Sequence, residues 1–172
     1  MEKDNNSIRD IVGAETKGIY VLLLKSSIEG ELPIGSRLKI HLEKDRYYLY
    51  VGSALQGMGH RLARHAKKEK KMHWHIDYLL EQAKLHIIFF AYTREKLECK
   101  LSQQFDLNGY NLEPVAGFGN SDCRLCKSHL YKINKFNRVL VIKKLVKDAF
   151  SSIKLEPLAI HVCKEKKKKK KK

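Results

Sequence analysis

Hydrophobic positions along this chain fall into short runs, and their spacing predicts alternating strands and helices. Gly18 to Lys25 holds Ile19, Tyr20, Val21 and three successive leucines. Such an unbroken apolar run predicts a strand buried on both faces. Ser26 to Gly35, with Glu29-Gly30, Pro33 and Gly35, reads as turn-rich. Arg37 to Leu42 alternates charged and apolar residues, the pattern of a half-exposed strand, and Tyr47 to Val51 predicts an aromatic strand. Gln56 to Gly59 reads as a glycine loop before a helix over His60 to Lys71. A second helix is expected over about Trp74 to Gln82, and Lys84 to Tyr92, centred on Ile87-Ile88-Phe89-Phe90, predicts a buried strand. Thr93 is placed to cap a helix from Arg94 to about Phe105, stopped by Asn108-Gly109. Asn111 to Ser128 reads as a loop and His129 to Ile133 as a short strand. Phe136 to Phe150 carries Val139, Ile142, Val146 and Ala149 on one helical stripe. Residues 1–16 read as a polar lead-in, 151–163 give no clear pattern, and no internal repeat is visible.

Composition narrows the class. A chain of 172 residues with 43% hydrophobic content suits one domain with an ordinary core. No apolar run approaches the roughly 18 residues that span a bilayer. Met1 to Asn6 is polar and offers no signal-peptide apolar segment, so a cytoplasmic protein without a membrane partner is expected. The net charge is +16. Lys164–Lys172 holds eight lysines and one glutamate, or +7, which leaves +9 for residues 1–163. Such a tail is self-repelling and predicted to be disordered. A body that is basic without its tail points to a polyanion partner, nucleic acid first. The helix over His60 to Lys71 concentrates that charge in Arg61, Arg64, Lys67, Lys68, Lys70 and Lys71.

Candidate chemistry sits on these same elements. Gly18-Ile19-Tyr20 lies on the first predicted strand and Tyr50-Val51-Gly52-Ser53-Ala54 on a later one. The Arg61-to-His65 segment follows, and Glu98 comes on a helix after the Ile87–Phe90 strand. The order and spacing of these pieces resemble the GIY-YIG nuclease superfamily over about residues 17–133. The resemblance implies a mixed α/β sandwich around a small three-stranded antiparallel sheet flanked by helices. On that reading, 134–163 form a C-terminal helix and extension, and 164–172 the lysine tail. It also implies a metal-dependent endonuclease that hydrolyses DNA phosphodiester bonds, in repair or in processing of branched or damaged DNA. Tyr20, Tyr50, Arg61 and Glu98 are the implied catalytic residues, and Glu98 is the implied ligand of Mg²⁺ or Mn²⁺. Glu95, on the same predicted helix, is the alternative ligand. One branch of the superfamily comprises stand-alone domains that are also found fused to DNA-repair enzymes. Its hallmarks match His73 to Tyr78, Leu97-Glu98-Cys99, Gly117 to Cys123 and Ser128-His129-Leu130. An asparagine often closes the motif set; Asn120 is the candidate here, with Asn111 as the alternative.

The residue types suit that chemistry. Phosphodiester hydrolysis needs an oriented nucleophile and neutralisation of developing charge. Arg61 can grip phosphate oxygens with its planar fork. A lone carboxylate suits one Mg²⁺ that keeps most of its waters. A tyrosine ionises near pH 10, so a neighbouring cation is expected to help Tyr20 act on a water. Gly52, Arg64, His65, His75 and Asn120 are candidates for positioning substrate. Lys67, Lys68, Lys70 and Lys71 are candidates for DNA contact. His73, His75 and Asp77 could hold a metal, contact phosphate or cap a helix. Cys123, Cys126 and His129 have zinc-like spacing, with Cys99 as a possible fourth ligand; a reduced pair in a loop is the competing reading. The rival for the whole chain is a non-catalytic nucleic-acid-binding module that uses the basic helix.

Overall fold

The computed structural model describes residues 5–107, 110–121, 123–134 and 138–162. Its elements in chain order are α1 (Asn5–Val12), β1 (Gly18–Ser26), β2 (Gly30–Ile34), β3 (Leu38–Leu42), β4 (Tyr47–Ala54), α2 (Met58–Ala66) and α3 (His75–Gln82). They continue with β5 (Ala83–Tyr92), α4 (Glu98–Leu107), β6 (Leu112–Pro114), β7 (Leu130–Ile133), α5 (Val139–Ser152) and β8 (Leu158–His161).

The apolar run of β1 lies inside a six-stranded sheet of order β6-β7-β4-β1-β5-β8. Every pairing in it is antiparallel. Because side chains alternate along a strand, β1 serves two cores. Tyr20, Leu22 and Leu24 pack with Ile8, Val12, Met58, Leu62, Ile76 and Leu79, beneath α1, α2, α3 and the β2–β3 hairpin. Ile19, Val21 and Leu23 pack with Leu101, Phe105, Ile142, Leu145 and Phe150 of α4 and α5. The result is a mixed α/β sandwich with helices on both faces. Among the described residues no helix is long and apolar enough to cross a membrane.

A central sheet of three strands was expected; the sheet has six. β4, β1 and β5 are adjacent, and β6, β7 and β8 extend them on either side. β6 and β8 escape prediction because β6 has only three residues and β8 buries only Ile160. The segment 134–163, expected to follow the domain, supplies α5 and β8 to the same core and sheet. The lead-in contains α1, whose Ile8 and Val12 are buried. The turn-rich stretch contains β2, paired with β3 through Pro33 and Lys39.

Two helix boundaries also move. α2 ends at Ala66 instead of reaching Lys71: Lys67 is extended, and Lys70 Nζ donates to the carbonyls of Arg64, His65 and Lys67. Residues 67–71 carry no apolar side chain, so burial gives another helical turn no support. α4 begins at Glu98 and not at Arg94; Thr93 Oγ1 accepts a hydrogen bond from the Glu95 amide in a bend instead of capping a helix. Glu95 is therefore exposed and off the helix. The Asn108-Gly109 stop, the start at Phe136 and the lysine tail lie outside the described residues.

Tyr20 stands opposite Gly52 in the β1–β4 register. A Cβ at Gly52 would fall 2.5 Å from Tyr20 Oη and 2.6 Å from its Cε2. The Tyr20 ring is 2% exposed and closely packed, so it has little room to withdraw. Gly52→Ala should therefore destabilise the protein by about 1–3 kcal/mol, read from urea unfolding. Wild-type stability in this variant would show that the ring can move aside.

Candidate active site and its metal-binding neighbour

Tyr20 and Tyr50 both project into the helix-covered core of α1, α2 and α3. Tyr20 Oη lies 2.9 Å from His65 Nε2. Tyr50 packs edge-on against Phe118, at 6.0 Å between ring centroids. Burial pushes the Tyr20 phenol well above its ordinary value; the Arg61 cation and its hydrogen bond pull it down, and Glu98 and Asp77 push it up. Tyr50 is likewise raised, by burial first and then by Tyr20 and Glu98. Arg61 therefore acts on Tyr20 in the expected direction, but burial outweighs it. His65 is pushed down to about 3, by burial first and then by Lys70. At neutral pH the pair is a neutral phenol beside a neutral imidazole. Gly52 leaves room for the Tyr20 ring rather than presenting a group of its own.

Arg61 and Glu98 meet at Ser53. The Arg61 guanidinium donates to the Ser53 carbonyl, and Ser53 Oγ donates to Glu98 Oε2 at 2.8 Å. The charges of Arg61 and Glu98 both act on the two phenols, which places all four candidate catalytic residues in one neighbourhood. Ser53, part of the second tyrosine motif, had no role in the sequence reading; its value lies in using backbone and hydroxyl toward different partners.

Arg64 and Asp77 form the support beneath this site. Asp77 accepts Arg64 Nη1 at 2.7 Å and Nη2 at 2.9 Å, a bidentate pair. Asp77 Oδ2 also accepts the amides of His73 and Trp74, so it caps the start of α3. Burial would raise the Asp77 pKa, but Arg64 and these amides outweigh it and hold the carboxyl low. The guanidiniums of Arg61 and Arg64 lie 4.7 and 4.6 Å from the Trp74 ring centroid. Arg64 is thus committed to Asp77, Trp74 and the Lys71 carbonyl. His75 Nδ1 accepts the Gly119 amide at 3.2 Å. His73, His75 and Asp77 do not gather into a metal set; helix capping explains Asp77.

Lys67, Lys68 and Lys71 are exposed beyond α2. Lys70 folds back onto the helix end, with its pKa lowered to about 8 chiefly by burial. Asn120 Nδ2 donates to the carbonyls of Cys126 and Lys127, so it shapes the loop before β7 and does not face the tyrosines through that amide.

That loop brings together a second group. Cys99, Cys123, Cys126 and His129 place one donor atom each within 4.8 Å of one another. Among the described residues this is the one such set, and it could hold a metal such as zinc. Its His129 Nδ1 lies 3.0 Å from Glu98 Oε1, next to the first site.

The family model described as domain of unknown function DUF123 matches residues 19–154. The chain belongs to this family. No curated protein and no solved structure matches it. The match runs from β1 into the residues after α5, so it spans both tyrosines, Arg61, Glu98 and the Cys₃His group.

The buried His65 gives a pH signature. The unfolded chain takes up a proton on this histidine near pH 6.5, whereas the folded chain resists until about 3. Its contribution is therefore complete above pH 6.5 and lost as pH falls toward 3. Urea unfolding should show stability dropping by up to about 1.4 kcal/mol per pH unit between pH 6 and about 4.5. His65→Gln should flatten that slope. An unchanged slope would mean that His65 accepts a proton while folded.

Proposed function

We propose that this protein is a metal-dependent endonuclease of the GIY-YIG type that hydrolyses DNA phosphodiester bonds, in repair or in processing of branched or damaged DNA. The observation that supports it most is the meeting of Arg61 and Glu98 at Ser53, beside two phenols that feel both charges. The adjacency of β4, β1 and β5 supports reading them as the three-stranded sheet of that superfamily. On this reading the protein works in the cytoplasm, where reduced cysteines are ordinary.

Glu98 and Ser53 offer hard oxygen donors, and no second carboxylate joins them in a ligand set among the described residues. This donor set suits Mg²⁺ or Mn²⁺ held mainly through water and substrate phosphate. When bound, such an ion would neutralise charge on the phosphate. Arg61 keeps further N–H groups beyond its bond to Ser53, and these can engage phosphate oxygens. Trp74 stacking fixes the guanidinium and lowers the cost of ordering it. Tyr20 takes a proton from the attacking water while its own hydroxyl proton passes to His65 Nε2. The charge then rests on the His65 imidazole, which Asp77 favours and which burial, Lys70, Arg61 and Arg64 oppose. A bound phosphate, being negative, favours that imidazolium. Lys67, Lys68 and Lys71 supply exposed charge for the nucleic-acid backbone.

The second reading is a DNA-binding module without catalysis. It is favoured by the burial of the two phenols, 2% and 9% exposed, and by the cost of ionising them.

Purified protein should cut at least one of nicked, flapped, forked or four-way-junction DNA when Mg²⁺ or Mn²⁺ is added. Binding without cleavage across the panel would favour the second reading. Glu98→Gln should abolish cleavage and leave DNA binding intact, because the basic face is untouched. Cleavage at the wild-type rate would remove Glu98 from the site.

Arg61→Ala should lower turnover by on the order of 10²-fold with a smaller change in affinity. Arg61→Lys should not restore it, since the fork is lost. A purely binding defect would make Arg61 one more phosphate contact.

A further inference from the structure

The Cys₃His group is built from three parts of the chain. Cys99 lies in the first turn of α4, Cys123 and Cys126 in the loop between β6 and β7, and His129 just before β7. The Cys123 and Cys99 sulfurs are 2.8 Å apart, and those of Cys123 and Cys126 are 3.3 Å apart. All three are free thiols. Three soft donors and an imidazole converging from separated segments match the ligand set of a closed tetrahedral zinc site.

A second observation points the same way. His129 is 4% exposed, and neither of its ring nitrogens has a hydrogen-bond partner. A buried imidazole with two unsatisfied nitrogens is costly, and a metal ligand role would satisfy one of them. Nδ1 sits 3.0 Å from Glu98 Oε1 without a hydrogen bond, so the carboxylate is within reach of that nitrogen. Nε2 is then the nitrogen left for a metal. Zinc-bound histidines ordinarily turn their other N–H to a carboxylate, which fixes the ring.

The surrounding loop is shaped for the same task. The Leu125 amide donates to Cys123 Sγ at 3.4 Å, and the Cys123 amide donates to the Asn120 carbonyl at 3.0 Å. Asn120 Nδ2 holds the carbonyls of Cys126 and Lys127. Yet Leu125, at the centre of the loop, is 78% exposed and anchors nothing. Phe118 packs the beginning of the loop into the core; around Cys123 to Cys126, hydrogen bonds and sulfur contacts take the place of an apolar anchor.

We propose that Cys99, Cys123, Cys126 and His129 bind one structural Zn²⁺, with His129 ligating through Nε2 and turning Nδ1–H toward Glu98. The ion ties the β6–β7 loop to the start of α4 and holds the Glu98 carboxylate from the side opposite Ser53. The zinc site stands without the nuclease reading; the consequence of holding Glu98 rests on it.

Full-length protein purified under reducing conditions should contain one zinc per chain by elemental analysis, released by a thiol-modifying mercurial. Replacement with Co²⁺ should give the intense visible bands of a tetrahedral thiolate-rich site, and needs no variant. Cys126→Ser should lose stoichiometric zinc. Absence of zinc from the wild-type protein, together with no Co²⁺ bands, would overturn the site. Imidazole ¹⁵N spectra of the zinc-loaded protein should show a metal-bound Nε2 on His129 and a slowly exchanging Nδ1–H. That hydrogen should shift in Glu98→Gln; an unmoved signal would overturn the link to Glu98. Neither measurement reads cleavage, so a protein that binds zinc but cuts nothing would refute the nuclease and leave the zinc site standing.

Discussion

The pairing of Tyr20 with Gly52 across β1 and β4 is the contact on which the rest of the site depends. The absent side chain of Gly52 leaves the space that the Tyr20 ring fills. With the ring there, Tyr20 Oη reaches His65 on α2. The same register carries Ser53 to the next position on β4, where side chains point to the other face of the sheet. Ser53 is therefore turned toward α4 and Glu98 while its carbonyl remains open to Arg61. A slip of one residue would send Tyr20 into the opposite core and separate these partners. Close packing at Gly18 serves the same geometry, since a Cβ there would fall 2.6 Å from Met58 Sδ at the start of α2.

How far the sequence could be read follows from where each element draws its support. β1, β4 and β5 were legible because their apolar runs are long and buried on both faces. The end of α2 and the start of α4 were not, because charged residues with good helix propensity continue there, and missing burial and local side-chain bonds set the boundary. Lys70 illustrates this: it reads as one more cation on a basic helix, yet its ammonium caps that helix's carbonyls. β6 and β8 depend on sheet neighbours that periodicity cannot identify. In the candidate site, Tyr20, Tyr50, Arg61 and Glu98 were legible from order and spacing, since regular elements carry them. The roles of Ser53 and Trp74, and the approach of His129 to Glu98, were not. Each of these depends on chain segments that the sequence separates and the fold brings together, as with Glu98 and His129.

Burial and charge pull against each other throughout this region. Two phenols and a histidine are kept neutral by removal from water, while Arg61, Arg64, Asp77 and Glu98 surround them. Such charges are tolerable only when paired. Asp77 meets that requirement with two guanidinium nitrogens and two backbone amides. The pairing has a geometric consequence. By capping α3 at Trp74, Asp77 fixes the residue on which both arginines stack. Arg61 can then remain oriented while spending only one of its contacts on the backbone of β4. In this arrangement Arg64 is support and Arg61 is the arginine with donors to spare.

Glu98 lies between Ser53 and His129, and this links the two halves of the site. One carboxylate oxygen accepts the Ser53 hydroxyl on β4, and the other faces His129 just before β7. β4 and β7 are neighbouring strands, and the Val51 amide donates to the His129 carbonyl. His129 is thus bonded through its carbonyl to Val51, two positions before Ser53 on the same strand. Both neighbours of the Glu98 carboxylate therefore belong to one β4–β7 framework. His129 therefore borders Glu98, whereas Tyr20 is joined to α2 through His65. The acid thus bonds to β4 and borders the β6–β7 loop through His129, whereas the phenol is held on the helix-covered face through His65 of α2.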